Sequence, residues 1–590
     1  MKQQRRRKMV KYQLRNKNYN TEVPDLALYD LLADRGIIHP EKWLNPSEEY
    51  ELSPFLLRDM KKATSILRST INNPDSKILV VVDSDLDGYT SGAIIISLLN
   101  IISKGQEIDY VLHPGKEHGI ELKDIPEDVN LVIVPDAGSS QKEEHMKLLQ
   151  NGKKIIILDH HEVTNDFLYK NYEDNIAIVN SQINYDNPAL SGAGVALKFV
   201  QAYCYEYKVN FPNKLYALAG CGIVADVMDI SSLENKYIIT KGLKYISEHP
   251  FLMALIQKAH FNQNNPKPSI KDIGWVIGPN INSIIRLGTM GQKHMIFSAL
   301  VSPLSMTFSS KRGSEDEEVP VFEEAVRLCD NAKKRQTTAI NKSIKIIEDN
   351  EPRGQHNALI YVDEDQDLTF ELSGLIANKL LSQNNKPVIL LRRYTDNKGT
   401  DEYRGSVRGK AAEGLSNLKD TIKDLSGVRM AEGHAFAFGI GIDRDSLPIF
   451  KEHLEEVLST VDFNTNLYLV DFVSAYTGVN KEIAKIMGAD DIWSHGVEKP
   501  LGVINKIPTQ KYELMGATGQ HMKIDCGGYD VVLFNVPQLV EKLEKGEKYN
   551  LEVVGEFDVD KSYNIGRLQF IAKDYELQPY EAPTIWEYAF

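Results

Sequence analysis

The chain is poor in cysteine, in long apolar runs and in net positive charge, and each shortage removes a class of protein. Four cysteines occur in 590 residues, Cys204, Cys221, Cys329 and Cys526, and none forms a Cys-x-x-Cys pair. That scatter argues against a zinc ribbon and a disulfide framework and suits a reducing, cytoplasmic setting. No apolar run approaches the roughly 20 residues needed to cross a bilayer, so no membrane partner is expected. Fixed-period repeats and low-complexity tracts are also lacking, which argues against a repeat architecture. The net charge is −14. Such a balance does not point to nucleic acid, yet an enzyme that holds divalent cations needs clustered carboxylates, so a polyanionic substrate is not excluded. The start, "MKQQRRRKMVKYQLRNKN", is basic but no apolar core follows it, so it does not read as a secretory signal. Taken alone it reads more simply as a solvated tail than as an arm touching phosphates.

What remains is a soluble globular composition in a chain long enough for several domains. "LYDLLADRGIIHPEKWLNP" predicts a short helix and turn, and "SPFLLRDMKKATSILRSTI" an amphipathic helix. The apolar runs "KILVVVD", "EIDYVLHP", "VNLVIVPD" and "KKIIILDHH" then alternate with helical stretches such as "TSGAIIISLLNIISK". Strands alternating with helices predict a mostly parallel, doubly wound α/β sheet, in which ligands bind beyond the carboxyl ends of the strands. Val319 to Asn350 is free of internal proline and glycine and predicts one long connecting helix. A second α/β domain follows to about Asp462, and from Lys499 short alternating strands suit a small oligonucleotide-binding β-barrel.

The chemistry is concentrated where those strands end. In "KILVVVDSDLDGYTSG" a strand runs into Asp83, Asp85 and Asp87; another ends at Asp136; a third ends in Asp159-His160-His161. Parallel topology brings these groups to one edge, where "GIVADVMD" adds Asp226. Crowded carboxylates repel unless cations neutralise them. Oxygen and imidazole donors without sulfur suit manganese or magnesium better than structural zinc. Two such ions about 3.5–4 Å apart would activate a water and steady a phosphoryl transfer. Each element alone is weak: a single Asp at a strand end usually forms a turn, and a single His is more often structural. A calcium loop of EF-hand type needs Glu at its twelfth position, and counted from Asp83 that position is Ile94. Asp87, ahead of Gly88, reads as a turn former.

"DSDLDGYTS", "PDAGSS", "LDHHEV" and "GIVADVMD" resemble, in order and spacing, the four motifs of the DHH phosphoesterase superfamily. "LLADRGI", "LSGAGVALK", "GPNINSIIRLG", "CDNAKKRQ", "RGSVRG", "AEGHAFAFG" and the barrel sequence from Lys499 extend the resemblance to the RecJ-type single-strand-DNA exonucleases over nearly the whole chain. It implies an N-terminal helical segment (1–58), a DHH domain (59–318), a connecting helix (319–350), a DHH-associated α/β domain (351–462) and linker helices with an oligonucleotide-binding fold (463–590). Asp83, Asp85, Asp136, His160 and Asp226 would hold two Mn2+ or Mg2+ ions, with Asp136 between them. His161 would contact the scissile phosphate, and Asp159 would orient a histidine. Lys116, Arg286, Ser406, Arg408 and His434 would bind the phosphate or DNA backbone, with Gly405 and Gly433 permitting close approach. The family's arginine and tyrosine after the second strand are Lys116 and His118 here, Glu432 stands beside His434 where a glycine is usual, and "INSIIR" lacks the usual glycine.

The resemblance implies a cytoplasmic, monomeric, metal-dependent 5′-to-3′ exonuclease. It would release mononucleotides from single-stranded DNA in repair, recombination or replication, with a single-strand-binding protein or a helicase as partner. The alternatives are a phosphodiesterase for short oligoribonucleotides or cyclic dinucleotides and a non-catalytic replication or repair subunit.

Overall fold

The structure is a computed structural model, and it describes residues 10–16, 28–115, 117–163, 169–302, 307–312, 315–351, 356–395, 401–463, 466–516, 518–560 and 566–580. Lys116 and the basic residues 2–8 lie outside this set.

Five parallel strands form the first sheet, in the spatial order Glu107–Leu112, Lys77–Val82, Leu131–Pro135, Lys154–Asp159 and Ile176–Asn180. Period-two alternation sends Ile78, Val80, Val82, Ile133 and Ile156 to one face and Leu79, Val81, Val132, Val134 and Ile157 to the other. Both faces are covered, which explains why these strands read as continuous apolar runs. On the first face lie the helices Leu86–Ile102, Gly192–Tyr207 and Leu215–Ala225, and on the second Lys142–Gln150. Strand order reverses between Lys77–Val82 and Leu131–Pro135, the crevice where open α/β sheets bind ligands. Asp83 and Asp136 stand at the ends of those two strands.

The connecting helix Val321–Asn350 is continuous for 30 residues. Its first half, with Ala325, Cys329 and Ala332, packs into the core of the first sheet; Ile344 and Ile347 pack into the core of the next. That second sheet is mixed, in the order Val428–His434, Ala437–Asp443, Asp401–Arg408, Val388–Thr395 and Leu359–Asp363, with only the last pair parallel. The C-terminal sheet has seven strands, in the order Phe472–Ala475, Gly502–Pro508, Tyr549–Asp560, Arg567–Pro579, Asp530–Leu533, His521–Asp525 and Tyr512–Met515. Among the described residues no ladder joins its two outermost strands.

The expectation of a solvated tail at the start needs correction over Val10–Leu14; its residues 1–9 and 17–18 lie outside the described residues. Val10–Leu14 is a strand, paired in parallel with Asn466–Val470, and Tyr12 and Leu14 cover Val470, Val503 and Val554. Flanking charges mask this short apolar alternation in the sequence. The N-terminal segment is pinned further by Arg35, whose guanidinium donates twice to Asp471 at 3.0 Å, and by Trp43, whose indole donates to the Ile230 carbonyl at 2.8 Å. All four cysteines are free and buried, and no described helix is long and apolar enough to cross a membrane.

Candidate metal centre

The site is built on tight backbone junctions. Asp83 follows its strand directly, and the chain turns at once into the helix Leu86–Ile102, whose N-cap Asp85 accepts from the Gly88 amide at 3.0 Å. A Cβ on Gly88 would fall 2.6 Å from the Asp83 carbonyl oxygen, so glycine is what lets this helix double back on the strand end. Asp136 sits at φ 67°, a left-handed conformation that Asp tolerates better than most residues. Asp226 caps the helix Leu215–Ala225 and is followed by Val227 at φ 58°. A β-branched residue there carries strain of about 1–3 kcal/mol, the sort that collects at functional sites.

These junctions bring together the five residues expected to hold ions. One donor atom each from Asp83, Asp85 and Asp136 lies within 4.8 Å of the others, as do those of Asp136, His160 and His161 and those of Asp87, His160 and Asp226. Asp136 belongs to two of the three sets. His160 Nε2 stands 3.2 Å from Asp136 Oδ1, 3.5 Å from Asp226 Oδ2 and 3.9 Å from Asp87 Oδ2.

Asp87 is not the turn former expected from sequence. The helix begins at Leu86, so Asp87 lies in its first turn, buried, and accepts from Ser191 Oγ (2.9 Å) and the amides of Gly192 (2.7 Å) and Ala193 (3.1 Å). It thereby caps the helix Gly192–Tyr207, more than a hundred residues on. A Cβ on Gly192 would come within 2.2 Å of Asp136 Oδ1, so that helix seats against the carboxylate only because position 192 has no side chain.

Environment separates the two histidines. Asp159 Oδ1 accepts from His161 Nδ1 at 2.8 Å and from the amides of His160 and His161, while Oδ2 accepts from Ser139. The hydrogen bond to Asp159, against burial, lifts His161 to about 9, whereas burial lowers His160. Burial by itself would raise Asp159, but the bonds from His161 keep it below the usual carboxylate range. Burial thus favours the neutral ring at His160, the form able to ligate a cation, while the bond to Asp159 favours the charged ring at His161 and fixes its orientation, with Nε2 turned away from Asp159. His118, noted in the sequence only as a departure, donates from Nδ1 to Asp83 at 2.8 Å, and that bond raises its pKa.

The carboxylates are pushed the other way. Burial, then Asp83 and Asp87, raises Asp85 to about 6; burial, then Asp87 and Asp85, raises Asp226 to about 8; Asp136 is raised well above the ordinary range. Asp136 Oδ1 is buried with no hydrogen-bond donor. An all-oxygen and imidazole donor set with an orphaned, self-repelling carboxylate fits a hard divalent cation. Protons compete with a cation for these oxygens, so Mn2+ affinity should fall as pH drops through about 8 and fall again through about 6. Calorimetric titration across that range should show tighter binding and proton release at the alkaline end. An affinity independent of pH would contradict the assignment.

A second cluster, of opposite charge, faces the first. Arg286, on the helix Gly278–Leu287, is half-buried and has no hydrogen-bond or ion-pair partner among the described residues; burial lowers its pKa while Asp85 raises it. Burial and the Arg286 charge lower both Arg408 and Lys333. Lys333, from the connecting helix, was not singled out in the sequence. Ser406 Oγ is 2.9 Å from Ser373 Oγ, and Arg408 lies against Gly374, so both reach the N-terminus of the helix Ser373–Asn384. His434 is exposed, in the same sheet row as Arg408 with Ala437 between them. The glycines expected to admit substrate instead admit the sheet itself: a Cβ on Gly405 would meet the Leu390 carbonyl oxygen at 1.8 Å, and one on Gly433 the Ala437 oxygen at 2.8 Å. A cleft of about 930 Å³ leads from Ala225, Val227, Arg286 and Lys333 towards Phe534 and Lys573 of the C-terminal sheet.

Comparison with known proteins agrees with this geometry. The family model described as DHH family, N-terminal domain, matches residues 77–223. A putative prophage-derived single-strand DNA-specific exonuclease, YorK, of Bacillus subtilis is 34% identical over 83% of this chain and 84% of its own. The single-stranded-DNA-specific exonuclease RecJ of Haemophilus influenzae is 25% identical over 81% and 83%. The crystal structure of RecJ in complex with Mn2+ from Thermus thermophilus superposes with a TM-score of 0.68, covering 97% of this chain and 80% of that one at 19% identity. The chain therefore belongs to the DHH family, within its RecJ-type branch.

Proposed function

We propose that the protein is a divalent-metal-dependent exonuclease that digests single-stranded DNA from the 5′ end to mononucleotides. One observation carries this reading: buried carboxylates that repel one another face cations, Arg286, Arg408 and Lys333, that also repel one another. Metal ions on the acidic side and a phosphodiester on the basic side relieve both repulsions together.

In this reading Asp83, Asp85, Asp136, His160 and Asp226 would hold two Mn2+ or Mg2+ ions, with Asp136 placed to serve both. When bound, such ions supply an activated water and take up charge on phosphoryl oxygens. The chain's own groups do the rest. Asp159 fixes the His161 ring so that its Nε2–H can donate to a phosphate oxygen. Arg408 offers a forked pair of donors, Arg286 a second guanidinium, and Ser406 lies beside a helix N-terminus suited to an anion. Lys116 and His434 would extend these contacts along the backbone.

The five domains keep the boundaries 1–58, 59–318, 319–350, 351–462 and 463–590, and the seven-stranded C-terminal sheet acts as an oligonucleotide-binding barrel that holds the incoming strand by charge and stacking. The names of the relatives support the substrate class and the manganese-bound relative supports the metal. The protein would work as a monomer in repair, recombination or replication, fed by a single-strand-binding protein or a helicase. Strands labelled at the 5′ or the 3′ end, incubated with Mn2+, test the proposal. Early release of the 5′ label as mononucleotide is expected. Release from neither end refutes the nuclease reading, and release from the 3′ end alone refutes its polarity.

A further inference from the structure

One wall of the cleft is not used by the phosphate chemistry. Trp275 lies in a π-helical turn, Ile273–Ile277, with 78% of its surface exposed, whereas Trp43 and Trp493 are buried. π-turns insert a residue into a helix and recur at functional sites. Gly274 and Gly278 rest against the end of the helix that carries Asp226, where added Cβ atoms would lie 3.9 Å from Val224 and 3.8 Å from Ala225. Gly274, itself exposed, and Gly278 line the cleft together with Trp275, whose indole opens into it. Val227, in its left-handed conformation, is exposed on the same lining.

The cations of the cleft divide into two groups. Towards the C-terminal sheet, Lys271 and Lys499 pair with Asp558, and Lys573 with Glu556. Arg286 and Lys333, nearer the metal centre, make no ion pair among the described residues. A flat π surface open to water, with cations that no carboxylate neutralises alongside and the Asp226 helix end beneath, has the chemistry of a seat for a nucleobase between backbone phosphates.

We propose that Trp275 is a base-stacking residue: its indole packs on one base of the strand bound across the metal centre and so sets which phosphodiester comes to rest there. This rests on the reading of the protein as a nuclease for single-stranded DNA. Every base has a π face, so the contact tolerates any sequence. In a duplex both faces are covered by neighbouring pairs, so the contact also favours an unstacked strand.

Trp275→Ala and Trp275→Phe test this, because an exposed indole can be removed without opening a core cavity. On oligodeoxythymidylate with Mn2+, Trp275→Ala should raise KM roughly tenfold while changing kcat less than about twofold, with Trp275→Phe restoring most of the loss. One abasic residue moved along the strand should penalise the wild type at a single position, and that penalty should vanish in Trp275→Ala. Oligodeoxythymidylate added to metal-free protein should quench tryptophan fluorescence in the wild type and much less in Trp275→Phe. An unchanged KM in Trp275→Ala, or an abasic penalty that persists in it, overturns the stacking role. Strand binding with quenching but no cleavage by the wild type would refute the nuclease reading while leaving the stacking contact standing.

Discussion

Asp136→Asn should abolish strand cleavage and, in metal-free protein near neutral pH, raise the melting temperature. Asp136 is 2% exposed, and burial together with Asp87, Asp85, Asp83 and Asp226 drives its pKa up. A carboxyl group whose folded pKa exceeds its unfolded value destabilises the fold progressively as pH rises from the unfolded towards the folded value. Asparagine keeps the shape and removes that cost, so a gain of about 1–3 kcal/mol is expected at pH 7. The gain should shrink as pH falls towards 4 and disappear below about pH 3, where the wild-type carboxyl is protonated in both states. Activity should fall at least about a thousandfold, because the anionic donor proposed to serve both ions is lost. Melting curves at the two pH values and single-turnover cleavage check both halves. Cleavage within tenfold of wild type would remove Asp136 from the centre of the chemistry.

Gly192→Ala should disable the protein almost as thoroughly without touching a charged group. The new methyl would sit 2.2 Å from Asp136 Oδ1 and 2.5 Å from its Cβ, on a residue whose own amide is held by Asp87. Neither side can yield alone: Asp136 follows a buried strand, and the helix Gly192–Tyr207 is capped by Asp87. A displacement approaching an ångström at a reacting centre costs on the order of a hundredfold in rate, and overpacking costs about 1–3 kcal/mol in stability. Gly291→Ala is the control, since its Cβ would meet nothing within 4 Å in the helix Met290–Val301. It should leave cleavage and melting nearly as they are. Equal behaviour of the two variants would mean that the contact at Gly192 does not govern the position of Asp136.

The sequence announces this site because its signals are local. Strands buried on both faces read as apolar runs, and each run that matters ends in Asp83, Asp136 or Asp159-His160-His161. The connecting helix Val321–Asn350 is equally plain, being long and unbroken. Other features are written across distance and cannot be read locally. Asp87 acquires its role from Ser191, Gly192 and Ala193, which no spacing rule links to it. His118 departs from a family tyrosine, and only the fold reveals that its imidazole grips Asp83. Lys333 is one lysine among several on a charged helix until the helix Gly278–Leu287 brings Arg286 near it, and Arg286 in turn acts on Arg408 of the second sheet. The strand Val10–Leu14 is five residues long beside a cluster of basic ones, and its partner lies more than 450 residues away.

Whether paired cations occupy the acidic pocket is read most directly from anomalous scattering at the manganese edge, in crystals grown with Mn2+. Two peaks about 3.5–4 Å apart, each touching an Asp136 oxygen and together spanning Asp83, Asp85, His160 and Asp226, are expected. No peak in the pocket, or a single peak away from Asp136, would contradict the assignment on which the chemistry depends.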